Sequence, residues 1–283
     1  MKLMPCVNTM TNYKFDSEKH LHTLNTIALT GTSSVVDVLA KPLTWWASGL
    51  AVGKLGWTKA TDWKTLKTDE AKEADLKRRL EVAEPALDMI KGMDSVSYLK
   101  LLDEAYKAHS VKLDKSAKAG TDLHAELEMY VKWKMGKNLE VGTVMQFEPK
   151  IQPFIDWADK NVKKFLWSEA HCYSEKLWCG GISDAGAELN DGTIAIIDFK
   201  SAKDAYTGHF IQCAGYAIEI EENGLFDSTG THTKKIDGTI GALVVVPFGA
   251  KEVYPVIMRD VDAHKKAFEA AVVLYRLMFN SKE

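Results

Sequence analysis

Apolar residues recur at helical spacing in GTDLHAELEMYVKWKMGK, where Leu123, Leu127, Tyr130 and Val131 share one face. The pattern predicts a helix opening at Gly120 and stopping at Gly136, with His124 one position past Leu123. After a connector holding Pro149 and Pro153, the period shortens. Phe165 to Ser174, Leu177 to Leu189 and Thr193 to Lys200 read as strands, the last two joined by Asn190-Asp191-Gly192, a hairpin signal. Helical spacing returns in GHFIQCAGYAIEIEENG, ending at Gly224. IGALVVVPFG and EVYPVIM then read as strands, and VDAHKKAFEAAVVLYRLMF as a closing helix. The order helix, three strands, helix, two strands, helix predicts an α/β fold, a mixed β-sheet flanked by helices.

Upstream, residues 27 to 57 offer Thr and Ser caps and apolar residues at helical spacing, with Pro42 suited to a helix start. Two short helices are expected there. From about Lys59 to Lys118 the chain is rich in Lys, Glu, Ala and Leu, with opposite charges three or four apart, as in a solvated helical arm. The expected division is therefore an N-terminal helical region over 1–118 and a core over 119–283, packed as one compact unit.

Composition narrows the function classes. With 46% hydrophobic and 27% charged residues in 283, the chain can bury a substantial core and is not of disordered type. It has no apolar run of about 18 residues, so no membrane partner is expected. Its start resembles neither a secretory signal nor a transit peptide, and a cytoplasmic location is expected. The formal charge of −3 gives no global basic field, and Arg stands only at 78, 79, 259 and 276, so sequence-specific base readout is disfavoured. Cysteines at 6, 172, 179 and 213 form no CxxC pair, which argues against a zinc knuckle or a disulfide framework. No GxxxxGK[ST] pattern points to an ATPase.

The stretch GGISDAGAELNDGTIAIIDFK, 180 to 200, carries the chemistry. Strand alternation puts Asp198 and Lys200 on one face and Ile197 and Phe199 on the other. A three-residue loop with Gly192 left-handed would pair Leu189 with Thr193 and set Asp184 opposite Asp198; a two-residue loop would set Asp184 opposite Phe199. Opposed carboxylates repel unless a cation or a proton intervenes, and oxygen ligands suit Mg²⁺ or Mn²⁺. A nearby ammonium fits phosphodiester hydrolysis, though a strand-end Asp and Lys also form ordinary surface pairs.

Four short elements, G-T-D-L-H at 120–124, G-I-S-D at 181–184, D-F-K at 198–200 and Q-C-A-G-Y at 212–216, occur in an order that resembles the PD-(D/E)XK nuclease superfamily. Within it the chain is most similar to RecB-like exonucleases of phages, Cas4 proteins and mitochondrial genome-maintenance exonucleases; the opening TSSVVDVLAKPLTWWA resembles the phage type. The resemblance implies a restriction-endonuclease-like core and a Mg²⁺- or Mn²⁺-dependent deoxyribonuclease acting from DNA ends, in phage recombination, replication or DNA processing. By the same resemblance His124, Asp184, Asp198 and the Phe199 carbonyl are metal ligands, and Lys200 orients or activates the water. Gln212, Tyr216 and Glu169 support substrate or site, Glu169 less securely than the other two. No cysteine follows Cys213, so the iron–sulfur cluster of some relatives is not expected. Trp45, Trp46, Lys132, Lys134, Lys163 and Lys164 are candidates for a stacking and electrostatic path for single-stranded or end-containing DNA. A recombinase or single-strand annealing protein is a further expected partner. A structure- or site-specific endonuclease and a non-catalytic DNA-binding accessory are the alternatives.

Overall fold

The computed structural model describes residues 12–39, 44–62, 66–136, 147, 149–249 and 253–279, without the side chains of 44–46 and 113–122. Two compact units emerge: Met1–Ala40 with Gly120–Glu283, and Lys41–Ala119. The N-terminal segment up to Ala40 thus groups with the residues from Gly120 onward and apart from Lys41–Ala119.

That segment is not helical throughout. Strands β1 (Tyr13–Asp16), β2 (Leu21–Leu24) and β3 (Ile27–Ala28) form a meander. The short strand β4 (Thr30–Gly31) is followed by helix α1 (Thr32–Val36) and a 3-10 turn, Asp37–Leu39. Two helices do occur in the 27–57 stretch, α1 and α2 (Thr44–Gly53), while Pro42 lies outside the described residues.

The second unit holds α2, α3 (Asp69–Lys91) and the first part of α4 (Ser95–Lys134). Thr68 caps α3 by accepting the Ala71 N–H at 3.2 Å, and Asp94 caps α4 by accepting those of Val96 and Ser97 at 2.8 and 3.0 Å. Gly120 therefore starts no helix. A lone interior glycine costs a helix only about 1 kcal/mol, and strong helix formers on either side carry α4 through it to Lys134, just before Gly136, where φ is 70°.

In the first unit the connector at 147–161 contains an element that the prolines disguise, helix α5 (Gln152–Asn161), with Pro153 in its first turn, where proline is tolerated. The remaining elements are β5 (Val162–Ser174), β6 (Cys179–Leu189), β7 (Ile194–Lys200), α6 (Thr207–Asn223), β8 (Leu225–Phe226), β9 (His232–Lys234), β10 (Ile240–Pro247), β11 (Val256–Met258) and α7 (Val261–Phe279). They form a mixed sheet of order β11-β10-β7-β6-β5-β8-β9, with β4 parallel to β6 at Thr30–Cys179 and Gly31–Gly180. Only β7 with β10 and β4 with β6 are parallel.

The period-2 pattern sorts the two faces. Phe165, Ala185, Ala187, Ile197, Phe199 and Val244 pack under α4 and α5, against Leu127, Tyr130, Val131 and Phe154. Trp167, Cys172, Ile196, Leu243 and Val245 pack against Phe210, Cys213, Tyr216 and Ile220 of α6. The architecture is α/β, a mixed multi-strand sheet flanked by helices. Among the described residues no helix is long and apolar enough to cross a membrane.

Candidate functional site

The hairpin between β6 and β7 fixes the register on which the site depends. Gly192 has φ 82°, its N–H reaches the Leu189 carbonyl at 2.9 Å, and the Leu189 N–H reaches the Thr193 carbonyl at 2.8 Å. This is the three-residue form. The ladder continues through Ala187–Ala195 to Ala185–Ile197, so Asp184 and Asp198 are the next opposed positions. The strands part there, and Asp184 Oδ2 accepts the Phe199 N–H at 2.7 Å, taking the place of a ladder partner.

The same Asp184 oxygen lies 3.2 Å from His124 Nε2, delivered from α4. Phe199 wedges that ring edge-on at 5.7 Å between centroids. On the other side of β6, Glu169 completes the group: His124, Glu169 and Asp184 each offer one ligand atom, all within 4.8 Å of one another. Glu169 Oε1 is buried without a hydrogen-bond partner, and its backbone is left-handed at φ 49°. An orphaned carboxylate oxygen on a strained residue concentrates at sites with a task beyond packing. The set, two carboxylates and one imidazole, fits a divalent cation with a preference for oxygen.

Asp198 stands outside that group of three. Its wholly buried carboxylate turns to Lys200, whose Nζ lies 2.9 Å from both oxygens, with hydrogen-bond geometry at Oδ1 only. The ammonium compensates a charge that burial alone would not tolerate. Beside them on α6, Gln212 donates to the Tyr216 hydroxyl at 2.7 Å, both side chains buried. Of the expected residues, the structure therefore gathers His124, Asp184 and Glu169 in one group and Asp198 with Lys200 in another. Phe199 contributes its N–H and its ring.

Electrostatics follow from that layout. Burial opposes the charge on His124, but the hydrogen bond and charge of Asp184, with Glu169 and Asp198 behind it, hold its pKa up at about 9. Burial and the facing Asp184 push Glu169 up to about 7. Burial likewise lifts Asp198 to about 6, against the pull of Lys200. Although burial favours its neutral form, Lys200 is held charged by Asp198 and Asp184, above the ordinary lysine range. Burial and the Lys200 charge press His209 down to about 4.

Sequence reading gave Glu169 only a supporting place, and His209 none. The left-handed turn that aims Glu169 at Asp184 has no signature in a strand pattern, and His209 meets the Lys200 field only across the loop before α6. The expected lysine path is largely neutralised: Lys132 pairs with Glu128, Lys134 with Asp159 at 2.5 Å, and Lys163 with Glu188 at 2.6 Å. Trp45 and Trp46 have side chains outside the described residues. Comparison with protein-family models returned no match for the chain, and comparison with curated proteins returned none either.

Proposed function

We propose that the chain is a metal-dependent deoxyribonuclease with a restriction-endonuclease-like core, an exonuclease that hydrolyses phosphodiester bonds from DNA ends. The observation that carries this reading is the row of acids across three neighbouring strands, Glu169, Asp184 and Asp198, with His124 on Asp184 and Lys200 on Asp198. His124, Glu169 and Asp184 would hold Mg²⁺ or Mn²⁺, with Asp198 and the Phe199 carbonyl as further ligands on the strength of the resemblance. Such an ion supplies Lewis-acid stabilisation of charge that builds on phosphate oxygens.

The chain's own groups do the rest. Lys200, fixed by Asp198, presents a compact ammonium that orients the attacking water and stabilises the phosphate oxygens in the transition state. The Gln212–Tyr216 pair walls the Asp198 side and restricts where the substrate can lie. Asp184 holds His124 and the Phe199 backbone in place, which fixes the site's width.

The test is a time course on linear single- and double-stranded DNA labelled at the 5′ or 3′ end, beside circular DNA, with Mg²⁺ or Mn²⁺. Release of short labelled products from linear DNA alone is expected. Cleavage of circles would make the chain an endonuclease, and binding without cleavage would make it an accessory of recombination or packaging. Absence of both overturns the reading.

A further inference from the structure

Glu169 is also among the residues that line a groove beside β5. Residues 164–170 of β5, Leu225–Asp227, Thr233 and Lys234 of the β8–β9 region, and Lys134 and Met135 line it around about 460 Å³. A second cavity of about 140 Å³ shares Lys134, Lys164 and Phe165 with it and adds Lys163.

The charges along this groove are unevenly satisfied. Lys134 and Lys163 have carboxylate partners, whereas among the described residues Lys164 and Lys234 are exposed and form no ion pair. Asp227, which also lines the groove, is held as a carboxylate by its own turn, accepting from the Thr229 N–H and hydroxyl at 2.9 and 2.6 Å and from the Thr231 N–H at 3.0 Å, and pairs with neither lysine. Two ammoniums without an ion-pair partner among the described residues therefore line the same cavity as Glu169, one of the candidate metal ligands.

We propose that this groove seats a single nucleic-acid strand, with Lys164 and Lys234 holding its phosphates where it passes Glu169. The inference rests on the nuclease reading and adds a substrate form and a path to it. The volume is that of a small-ligand pocket, enough for a nucleotide or so of one strand, while a duplex would need an open face. An extended peptide pairing along the β5 edge is disfavoured by the edge itself. The β5–β6 register slips between Val162 and Lys164 and again between Phe165 and Trp167, and Glu169 then turns left-handed, so no continuous row of backbone groups is presented.

The experiment measures anisotropy of a fluorescent oligothymidylate and of a blunt duplex of equal length, with Ca²⁺ in place of Mg²⁺, for the wild type, Lys164→Glu/Lys234→Glu and the control Lys266→Glu on α7. The double variant should bind the single strand at least tenfold more weakly, lose far less affinity for the duplex, and show a log–log salt slope shallower by about 1.4 for two lost phosphate contacts. Lys164→Gln/Lys234→Gln should give a smaller loss in the same direction. An unchanged melting temperature and Mn²⁺ affinity show that the fold and site are intact in these variants. If the wild type cleaves DNA but the double variant binds the single strand like Lys266→Glu, the groove assignment falls and the nuclease reading stands. Equal losses on both DNA forms also overturn it, since the lysines would then supply only a general field. If the wild type binds neither DNA form and cleaves nothing, both readings fall.

Discussion

Glu169 stands directly across the β5–β6 ladder from Asp184, between the pairs Ser168–Ala185 and Ala170–Ser183, with its backbone in the left-handed region. A side chain of this kind at φ 49° costs about 1–2 kcal/mol, and burial together with the facing Asp184 raises the proton affinity of Glu169. Glu169→Gln keeps the shape and removes the charge. It should lower cleavage by about two orders of magnitude or more, as for loss of an essential electrostatic group, weaken Mn²⁺ binding in calorimetry, and leave the melting temperature equal or higher. Full activity would remove Glu169 from the site.

Asp184 differs from Glu169 because its carboxylate also serves the backbone. Asp184→Ala strands the Phe199 N–H and frees His124, so it should cost about 1–3 kcal/mol for a buried donor left unpaired. Asp184→Asn keeps an acceptor and should hold most of that stability while still losing cleavage. Chemical denaturation of the two variants separates the roles; equal stability would mean that the Phe199 bond contributes nothing.

These particulars mark what sequence could and could not supply. Alternation gave the two faces of β7 and the pairing of Asp198 with Lys200, because period 2 is a local property of the strand. The Asn190-Asp191-Gly192 turn left two registers open, because a left-handed glycine suits a two-residue loop as well as a three-residue one, and only the fold selects the latter. The sharing of Asp184 with His124 and Glu169 is set by where β6 and β7 part and by a single positive φ in β5, and neither leaves a mark on hydrophobic spacing. Helix α5 hid behind prolines that suit a first turn as well as a connector. The β1–β3 meander hid because each strand is at most four residues, too short for alternation to register.

Glu219, wholly buried on α6, tests the packing behind the site. Burial pushes its carboxyl up to about 8, despite hydrogen bonds from the Thr32 hydroxyl and from Cys172 at 3.1 Å. The folded state holds this proton more tightly than the unfolded chain, whose carboxyl titrates near 4.5. Its contribution is thus complete below pH 4.5 and is lost as pH rises toward 8. Melting temperature should fall across that window, and Glu219→Gln should flatten the fall. An unchanged slope in the variant would place its source elsewhere.

Lys200 separates chemistry from binding. If the ammonium stabilises charge that builds on the phosphate, its contribution is greatest in the transition state, and Lys200→Ala should lower turnover by about two orders of magnitude. DNA affinity with Ca²⁺ should change far less, since one phosphate contact among several is a small part of the total. The structure adds a stability signature. Lys200→Ala leaves Asp198 buried without its counter-ion, a loss of about 3 kcal/mol for a broken buried pair. Asp198→Asn/Lys200→Ala should recover part of this in thermal denaturation, because the amide carries no charge to strand. Lys200→Arg should not restore cleavage, because a wide planar guanidinium cannot occupy the place of a compact ammonium against both Asp198 oxygens. Should Lys200→Ala weaken binding and cleavage in equal proportion, Lys200 would be an ordinary DNA contact, and the water-orienting group would have to be sought first at Glu169.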